Sequence, residues 1–333
     1  MQLKDAAGTY LLYRESHGAR ANTLRNYRRM FNRLEAALGN ISMADFDFLA
    51  ADAWARSAAD LCDAAFNNER SCLASFLRWC RAREINRYGS ALTDAMPIRK
   101  IRSKERNRVP MADFPALLDA AEHPRDRMIV ALGLFLFLRA SEAVTLRISD
   151  VDLDSGEIAV NIHKTGDYDI MPISKELDTE LRRWLTYYSN ECGSLKPDWY
   201  LVPAKVAPTY GRAGAPQAPD GFAALSPTRP VGSAYLHVSG VLRAFGWSIS
   251  GEDREGMHTL RRSGARAYYD TLADAGVDGA LRRVMTMLHH ASVTTTERYL
   301  GLTVDRAVRD KEVKGQSMYP ALETVSKLHV VNG

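Results

Sequence analysis

A break in pattern dictates the architecture of this chain. From Ala95 to Pro110 the apolar periodicity lapses, Pro97 and Pro110 bracket the stretch, and Arg99, Lys100, Arg102, Lys104, Arg106 and Arg108 crowd it with only Glu105 against them. A segment with no apolar face has nothing to bury, so it reads as a linker between two separately folded parts. With 333 residues, each part is long enough to build its own core without metals or disulfides. Pattern alone therefore divides the chain into residues 1–95, a basic linker at 96–110, a second domain at 111–314 and a tail at 315–333.

Ahead of the break, Leu24, Tyr27, Phe31, Leu34 and Leu38 recur at spacings of three and four, the signature of one helix face. Asn22 or Thr23 is expected to cap that helix and Gly39 to end it. Arg25, Arg28, Arg29 and Arg33 lie off the stripe and face solvent or a ligand. A second stripe, Leu73, Phe76, Leu77 and Cys80, completes the outline of a small all-helical bundle.

After the break, Phe114, Leu117, Leu118 and Ala121 have helical spacing and lead into an apolar run, Met128 to Leu138, closed by Arg139. The period then changes. Ile158, Val160 and Ile162 alternate, Thr165-Gly166-Asp167 forms a turn, and Tyr168, Ile170 and Ile173 resume, which predicts a β-hairpin. Helical spacing returns at Lys175. Six of the 13 prolines fall between Pro203 and Pro230, where a long irregular loop is expected. The fold class that follows is mainly α with a small antiparallel β-sheet. In the tail, Pro320 suits a first helical turn, and Met318, Leu322, Val325 and Leu328 outline a short amphipathic helix that must dock its apolar face on its own domain or on another protomer.

Composition mainly excludes. The longest apolar run is far below the roughly 20 residues that span a bilayer, and the N-terminus carries no signal sequence. Cys62, Cys72, Cys80 and Cys192 contain no CxxC pair, which points to reduced thiols in the cytoplasm. His289 and His290 have no Cys or carboxylate nearby at zinc-type spacing, so no metal is expected. A net charge of +4 says little about a polyanionic partner. Its placement says more, because a basic linker between basic lobes suits a protein that wraps DNA through phosphate contacts.

Four stretches carry chemistry: LFLFLRASEAVTLRISDVD (134–152), IHKTGDYDIMPI (162–173), HTLRRSGARAYYD (258–270) and LHHASVTTTERYL (288–300). Each has an ordinary explanation. Arg139 and Glu142 make a common helical ion pair, Lys164 sits in a hairpin where lysines face solvent, His258 and Arg261 share a face by spacing, and Tyr299 could simply pack. Their order is what distinguishes them. Arg139-Ala-Ser-Glu, Lys164-Thr-Gly, His258-Thr-Leu-Arg261, His290-Ala-Ser and Tyr299 closely resemble the tyrosine recombinase (bacteriophage integrase) family over about residues 111–300, and residues 9–87 resemble its helical core-site DNA-binding domain. The chain departs from the family pattern at His289, where glycine is usual, at Arg262, often histidine, and in a longer proline-rich insertion. Family-like sequence begins almost at Met1, so no additional DNA-binding domain is expected ahead of the helical one.

The resemblance implies an enzyme that cleaves and rejoins DNA strands through a 3′-phosphotyrosyl intermediate, with no ATP, metal or other cofactor. Arg139 and Arg261 would clamp the scissile phosphate with His290 as a further donor, since a guanidinium stays charged and donates two parallel hydrogen bonds to phosphate oxygens. Tyr299 would attack. A phenol with an ordinary pKa near ~10 needs a base, for which His258 is the candidate, and the departing 5′ oxygen needs an acid, for which Lys164 is the candidate. Glu142 would orient Arg139 or His258, and which of His289 and His290 reaches the phosphate stays open. DNA contacts are expected from Arg25, Arg28, Arg29, Arg99, Lys100 and Arg102.

Further implied are double-stranded recombination sites as substrate, a homotetramer on DNA with the tail docked in trans, accessory DNA-bending factors of host or phage, and a role in integrating phage or mobile-element DNA within the bacterial cytoplasm. Two other readings share parts of the pattern: a type IB topoisomerase-like enzyme, which would yield no deletion or inversion products from a two-site plasmid, and a non-catalytic DNA-binding protein on a decayed recombinase fold, which would form no phosphotyrosyl adduct.

Overall fold

In the computed structural model, which describes residues 1–101, 107–162, 166–206, 222–247 and 255–302, the chain forms two compact units, Met1–Lys104 and Glu105–Gly333. Among the described residues no helix is long and apolar enough to cross a membrane.

The first unit is helical throughout: α1 (Leu3–Ser16), α2 (Ala21–Leu38), α3 (Phe48–Ser57), α4 (Asp63–Arg81) and the single turn α5 (Ala91–Asp94). The expected stripe of α2 is its buried face, with Leu24, Tyr27, Phe31 and Leu34 all inside; Leu38 is only half-buried. Leu73, Phe76, Leu77 and Cys80 do the same for α4. Burying each large side chain contributes about 1.5–3 kcal/mol. Tyr10 of α1 sits edge-on to Tyr27 and Phe76, with ring centroids 5.1 and 5.4 Å away, and so joins three helices. The start of α2 differs from expectation. The helix begins at Ala21 after Arg20, with no side-chain cap from Asn22 or Thr23, whereas Gly39 ends it at φ +68° as expected. Asn22 instead accepts a hydrogen bond from Arg25, which leaves its oxygen turned outward.

The basic linker is anchored at both ends rather than running free. Met96 is buried in the helical core, and Asn67 exchanges two hydrogen bonds with the backbone of Arg99. At the other end Val109 belongs to the core of the second unit. Arg102 lies outside the described residues.

The second unit holds α6 (Phe114–Asp119), α7 (Pro124–Phe135), α8 (Ala140–Ala143), β1 (Val151–Asp152), β2 (Glu157–Ile162), β3 (Asp167–Pro172), α9 (Lys175–Cys192), β4 (Pro203–Lys205), β5 (Leu225–Pro230), α10 (Ala234–Ala244), α11 (Met257–Asp274), α12 (Ala280–Met287) and α13 (Val293–Leu300). Helix α7 is buried from Met128 to Leu134, as an all-apolar stretch of helix must be, and α9, α10 and α11 pack against it. Its contact with α11 is unusually close. A Cβ on Gly264 would collide with the backbone carbonyl of Leu134, and one on Gly133 would lie 2.8 Å from Cβ of Leu260, so two glycines let the helices meet backbone to backbone.

Strands β1, β2 and β3 form an antiparallel sheet in that order, with Val160 opposite Asp169. The predicted hairpin is β2–β3, closed by a bond from Gly166 N–H to the carbonyl of Ile162. Ile158, Val160 and Ile162 face the core, but Tyr168 and Ile170 stand on the outer face, 73% and 65% exposed. The proline-rich stretch is not irregular throughout. Its ends pair as β4 and β5, a two-stranded antiparallel sheet with a bulge at Pro203 and Ala204, while residues 207–221 lie outside the described residues. So does the tail with its expected helix.

Candidate active site

The apolar helix α7 does not run to Arg139 as its sequence suggests. It ends at Phe135, and Phe137 takes a left-handed φ of +55°, which is uncommon for a bulky side chain and turns the chain so that Arg139 opens the next helix. That turn aims the carbonyl of Phe137 at Arg261, whose Nη1 donates to it. Nη2 of the same guanidinium donates to the carbonyl of Leu288, at the end of α12. Arg261 is only 1% exposed. Although their spacing of three predicts one shared face, His258 at the start of α11 is exposed and Arg261 turns inward.

Glu142 is the hub between the two arginines. Its carboxylate, fully buried, accepts from the backbone N–H of Arg139 at 2.7 Å and from Arg139 Nη1 at 2.6 Å, and lies 3.6 Å from Nη1 of Arg261. Arg139 and Arg261 are therefore the two guanidiniums that its carboxylate meets. Burial pulls the Arg261 guanidinium down to about 10, with Arg139 pushing the same way and Tyr299 and Glu142 opposing, so it remains charged at neutral pH.

Tyr299 lies on the last turn of α13, a helix whose first turn is capped by Ser292, accepting from Thr295 N–H at 3.2 Å. The carbonyl of Leu300, next to it, receives Arg108 Nη1 at 3.0 Å and Arg266 Nη1 at 3.2 Å, which pins the end of the helix. The phenol donates a long hydrogen bond, 3.3 Å, to the backbone carbonyl of His258. Burial raises its pKa above the ordinary value, while the positive charges of Arg261, Arg262 and Arg139 work to lower it. A half-buried phenol thus lies within reach of the charges of three guanidiniums.

The two adjacent histidines part company. His290 meets the ring of Tyr299 edge-on, with centroids 5.2 Å apart, and its Nδ1 pairs with Thr296 Oγ1 at 3.1 Å. His289 takes φ +49° and turns its Nε2 to Asp169 of β3, 2.7 Å away. The usual glycine at this position in the resembled family has a physical basis here, since the turn demands a left-handed residue.

Lys164 falls outside the described residues. Arg25, Arg28 and Arg29 are exposed along α2, as is Lys100. Arg99 is not a free surface charge: its guanidinium donates to the carbonyls of Leu61 and Ala58 and lies 3.8 Å from the centre of the Phe66 ring, so it helps close its own unit. Arg33, likewise, is held by Glu69 and Asp60.

Sequence reasoning missed Arg262, Arg266 and Asp169. Arg262 is buried, donates to the carbonyl of Asn107 and sits 3.7 Å from Glu255. In the sequence it stood out only as a departure, an arginine where the resembled family often has histidine. Among the described residues no group of histidine, cysteine and carboxylate is arranged to hold a metal ion.

Residues 107–306 match the phage integrase family. The chain is 29% identical over 188 residues to tyrosine recombinase XerA of Thermococcus kodakarensis, covering 56% of this chain and 55% of that protein. It is 30% identical over 89 residues to tyrosine recombinase XerA of Saccharolobus solfataricus, covering 27% of this chain and 31% of that one. The matches thus span about half or less of these curated relatives. Among solved structures, its fold is similar to that of a lambda integrase dimer bound to a COC' core site, with a TM-score of 0.65 at 18% identity over 90% of this chain and 95% of the other. It is similar too to the Tn1549 transposon integrase in complex with circular intermediate DNA, with a TM-score of 0.59 at 18% identity over 90% and 95% of the two chains.

Proposed function

The chain belongs to the phage integrase family, and from that premise we propose that it is a site-specific DNA recombinase that cuts one strand through Tyr299 and rejoins it to another. One observation carries the assignment of the nucleophile: the phenol of Tyr299 lies within electrostatic reach of Arg261, Arg262 and Arg139, with His290 against its ring. An anion is what such a cluster is suited to receive.

The step follows from charge. The phenol oxygen attacks phosphorus, forming a P–O bond to the 3′ side and breaking the bond to the 5′ oxygen. The phenolic proton passes to a base, for which His258 is the candidate, and the 5′ oxygen takes a proton from Lys164. Arg139, Arg261 and His290 stabilise the charge that builds on the non-bridging oxygens, and Glu142 keeps both guanidiniums aimed. Because the phosphodiester bond energy is kept in the tyrosyl ester, attack by a 5′ hydroxyl reverses the step without ATP. Attack by the hydroxyl of a different strand gives recombination.

Duplex DNA is the proposed partner, met in the first unit by exposed Arg25, Arg28 and Arg29 and by Lys100 beyond them. A tetramer that joins two duplexes is proposed by analogy with the lambda integrase tetramer bound to a Holliday junction, to whose fold this chain is similar with a TM-score of 0.63 at 18% identity. The tail at 315–333 is the proposed link between protomers, accessory DNA-bending factors of host or phage are proposed partners, and the integration of phage or mobile-element DNA in the cytoplasm is the proposed setting.

The test uses a duplex selected for binding from a randomised pool and nicked beside each phosphate of its centre in turn. The short strand released by cleavage diffuses away and traps the intermediate. A denaturing gel should show a protein–DNA adduct whose only modified peptide contains Tyr299. Binding without adduct at any position refutes the enzyme and leaves a DNA-binding protein.

A further inference from the structure

In the sequence Arg108 is one more positive charge of the basic linker, suited to a DNA phosphate. In the structure it has internal work. The residue is half-buried, and its Nη1 donates to the carbonyl of Leu300 at 3.0 Å, 192 positions along the chain. The backbone on either side of it is fixed to α11. Arg262 donates to the carbonyl of Asn107 at 2.6 Å, the N–H of Val109 donates to Ser263 Oγ at 2.8 Å, and the Val109 side chain lies in the core of its own unit. A side chain rooted on both sides in this way has little play at its tip. Its root is also well placed, because Arg262 and Ser263 directly follow Arg261 on α11.

What the tip holds is the end of the helix that carries Tyr299. Helix α13 has 8 residues, too few to be stable alone, and its last carbonyls have no partner within the helix. Those of Glu297 and Arg298 are met by the N–H groups of Leu302 and Gly301, where the chain reverses at a left-handed glycine, φ +75°. The carbonyl of Leu300 is met from outside, by Arg108 and by Nη1 of Arg266 at 3.2 Å, which α11 supplies and whose Nε is paired with Asp270 at 2.7 Å. Two guanidiniums suit the negative end of a helix. The Leu300 side chain, packed with Phe137, Ala265, Val284 and Leu288, sets how deep the helix sits. Apolar contact is non-directional and leaves the helix free to roll about its axis. Two hydrogen bonds from separate segments stop that roll, and the neighbouring residue is Tyr299. A closed path of bonds, from α11 through residues 107–109 to α13, therefore fixes the phenol relative to Arg261.

We propose that Arg108 is a positioning residue for the nucleophile: by holding the Leu300 carbonyl it sets the angle at which Tyr299 meets the phosphate. This rests on the recombinase reading above. Its specific consequence is that losing the bond slows the attack without weakening the grip on DNA.

Arg108→Met keeps the length and apolar stem of the side chain and removes the donors, while Arg108→Lys restores one donor on a similar stem. Adduct formation on the nicked duplex, followed at rising protein concentrations, gives a maximal rate and a half-saturating concentration for each. The methionine variant should lose about tenfold or more in maximal rate, since a small misplacement of a reacting group is costly. Its half-saturating concentration should stay within about twofold of the original, and the slope of log affinity against log salt should not change, because no phosphate contact is lost. The lysine variant should recover the rate to within about threefold, with one bond to the carbonyl remade. Four results would overturn the proposal. A salt slope lower by about 0.9 in the methionine variant would make Arg108 a phosphate contact instead. An unchanged maximal rate would make the bond idle, and equal losses in the lysine and methionine variants would mean that the carbonyl is not what matters. A lowered melting temperature with a rate that returns to normal on cooling would show a cap that only keeps α13 folded. Failure of the unaltered protein to form adduct is a different outcome, and it refutes the recombinase reading itself.

Discussion

Replacing Glu142 by glutamine should separate the two jobs of this residue. The carboxylate accepts two hydrogen bonds from Arg139, at 2.6 and 2.7 Å, and faces Arg261 at 3.6 Å, in a place with no access to water. Glutamine has nearly the same shape but only one oxygen, so one of its positions presents an amide N–H to an arginine donor. One charge-assisted bond, worth about 1.5–3 kcal/mol, is then lost and the other falls to the strength of a neutral one, about 0.5–1.5 kcal/mol. The attraction to Arg261 goes as well. The net cost to folding should be about 2–4 kcal/mol, below the 3–5 kcal/mol or so of removing one whole partner from a buried pair. Cleavage should fall further than stability suggests, by about 10²-fold, because both guanidiniums lose the group that aims them and a small misplacement is enough. Urea unfolding gives the first quantity and adduct formation on the nicked duplex, at a concentration where the variant is folded, gives the second. DNA affinity should change little, since most of it comes from phosphate contacts elsewhere. A variant as stable as the original and within about threefold of its cleavage rate would refute the role of Glu142 as the shared anchor.

Three further outcomes are expected. Tyr299→Phe should abolish the adduct while leaving site binding almost unchanged, because the phenol gives up only one long bond to a carbonyl, about 1 kcal/mol at most; adduct formation by this variant would move the nucleophile, with Tyr268 and Tyr269 next to test. Lys164→Ala should lose cleavage of ordinary DNA and recover it on the 5′-sulfur duplex, and an absence of recovery would remove Lys164 as the acid. Gly264→Ala should destabilise the second unit by about 1–3 kcal/mol or more, since the new methyl meets the carbonyl of Leu134, and calorimetry would show an unchanged melting temperature if α7 and α11 were free to separate.

Much of the fold was legible because burial imposes a period on sequence. The stripe of α2, the apolar α7 and the alternation of β2 each follow from one face meeting a core, a requirement satisfied within a few residues of chain. The candidate residues were legible through their order and local motifs, which is why Arg139, His258, Arg261, His290 and Tyr299 could be named before any geometry was known. Periodicity does not say which faces converge. Only the tertiary structure puts the Glu142 carboxylate between guanidiniums 122 residues apart in chain position, as their bonds to it at 139 and 261 record. The left-handed turns at Phe137 and His289 were hidden for a related reason: neither side chain favours that backbone locally, and the surrounding packing holds both there. The two histidines were chemically identical on the page of sequence. What separated them was a backbone reversal that turned one ring to Tyr299 and the other to Asp169, a choice made by contacts far along the chain.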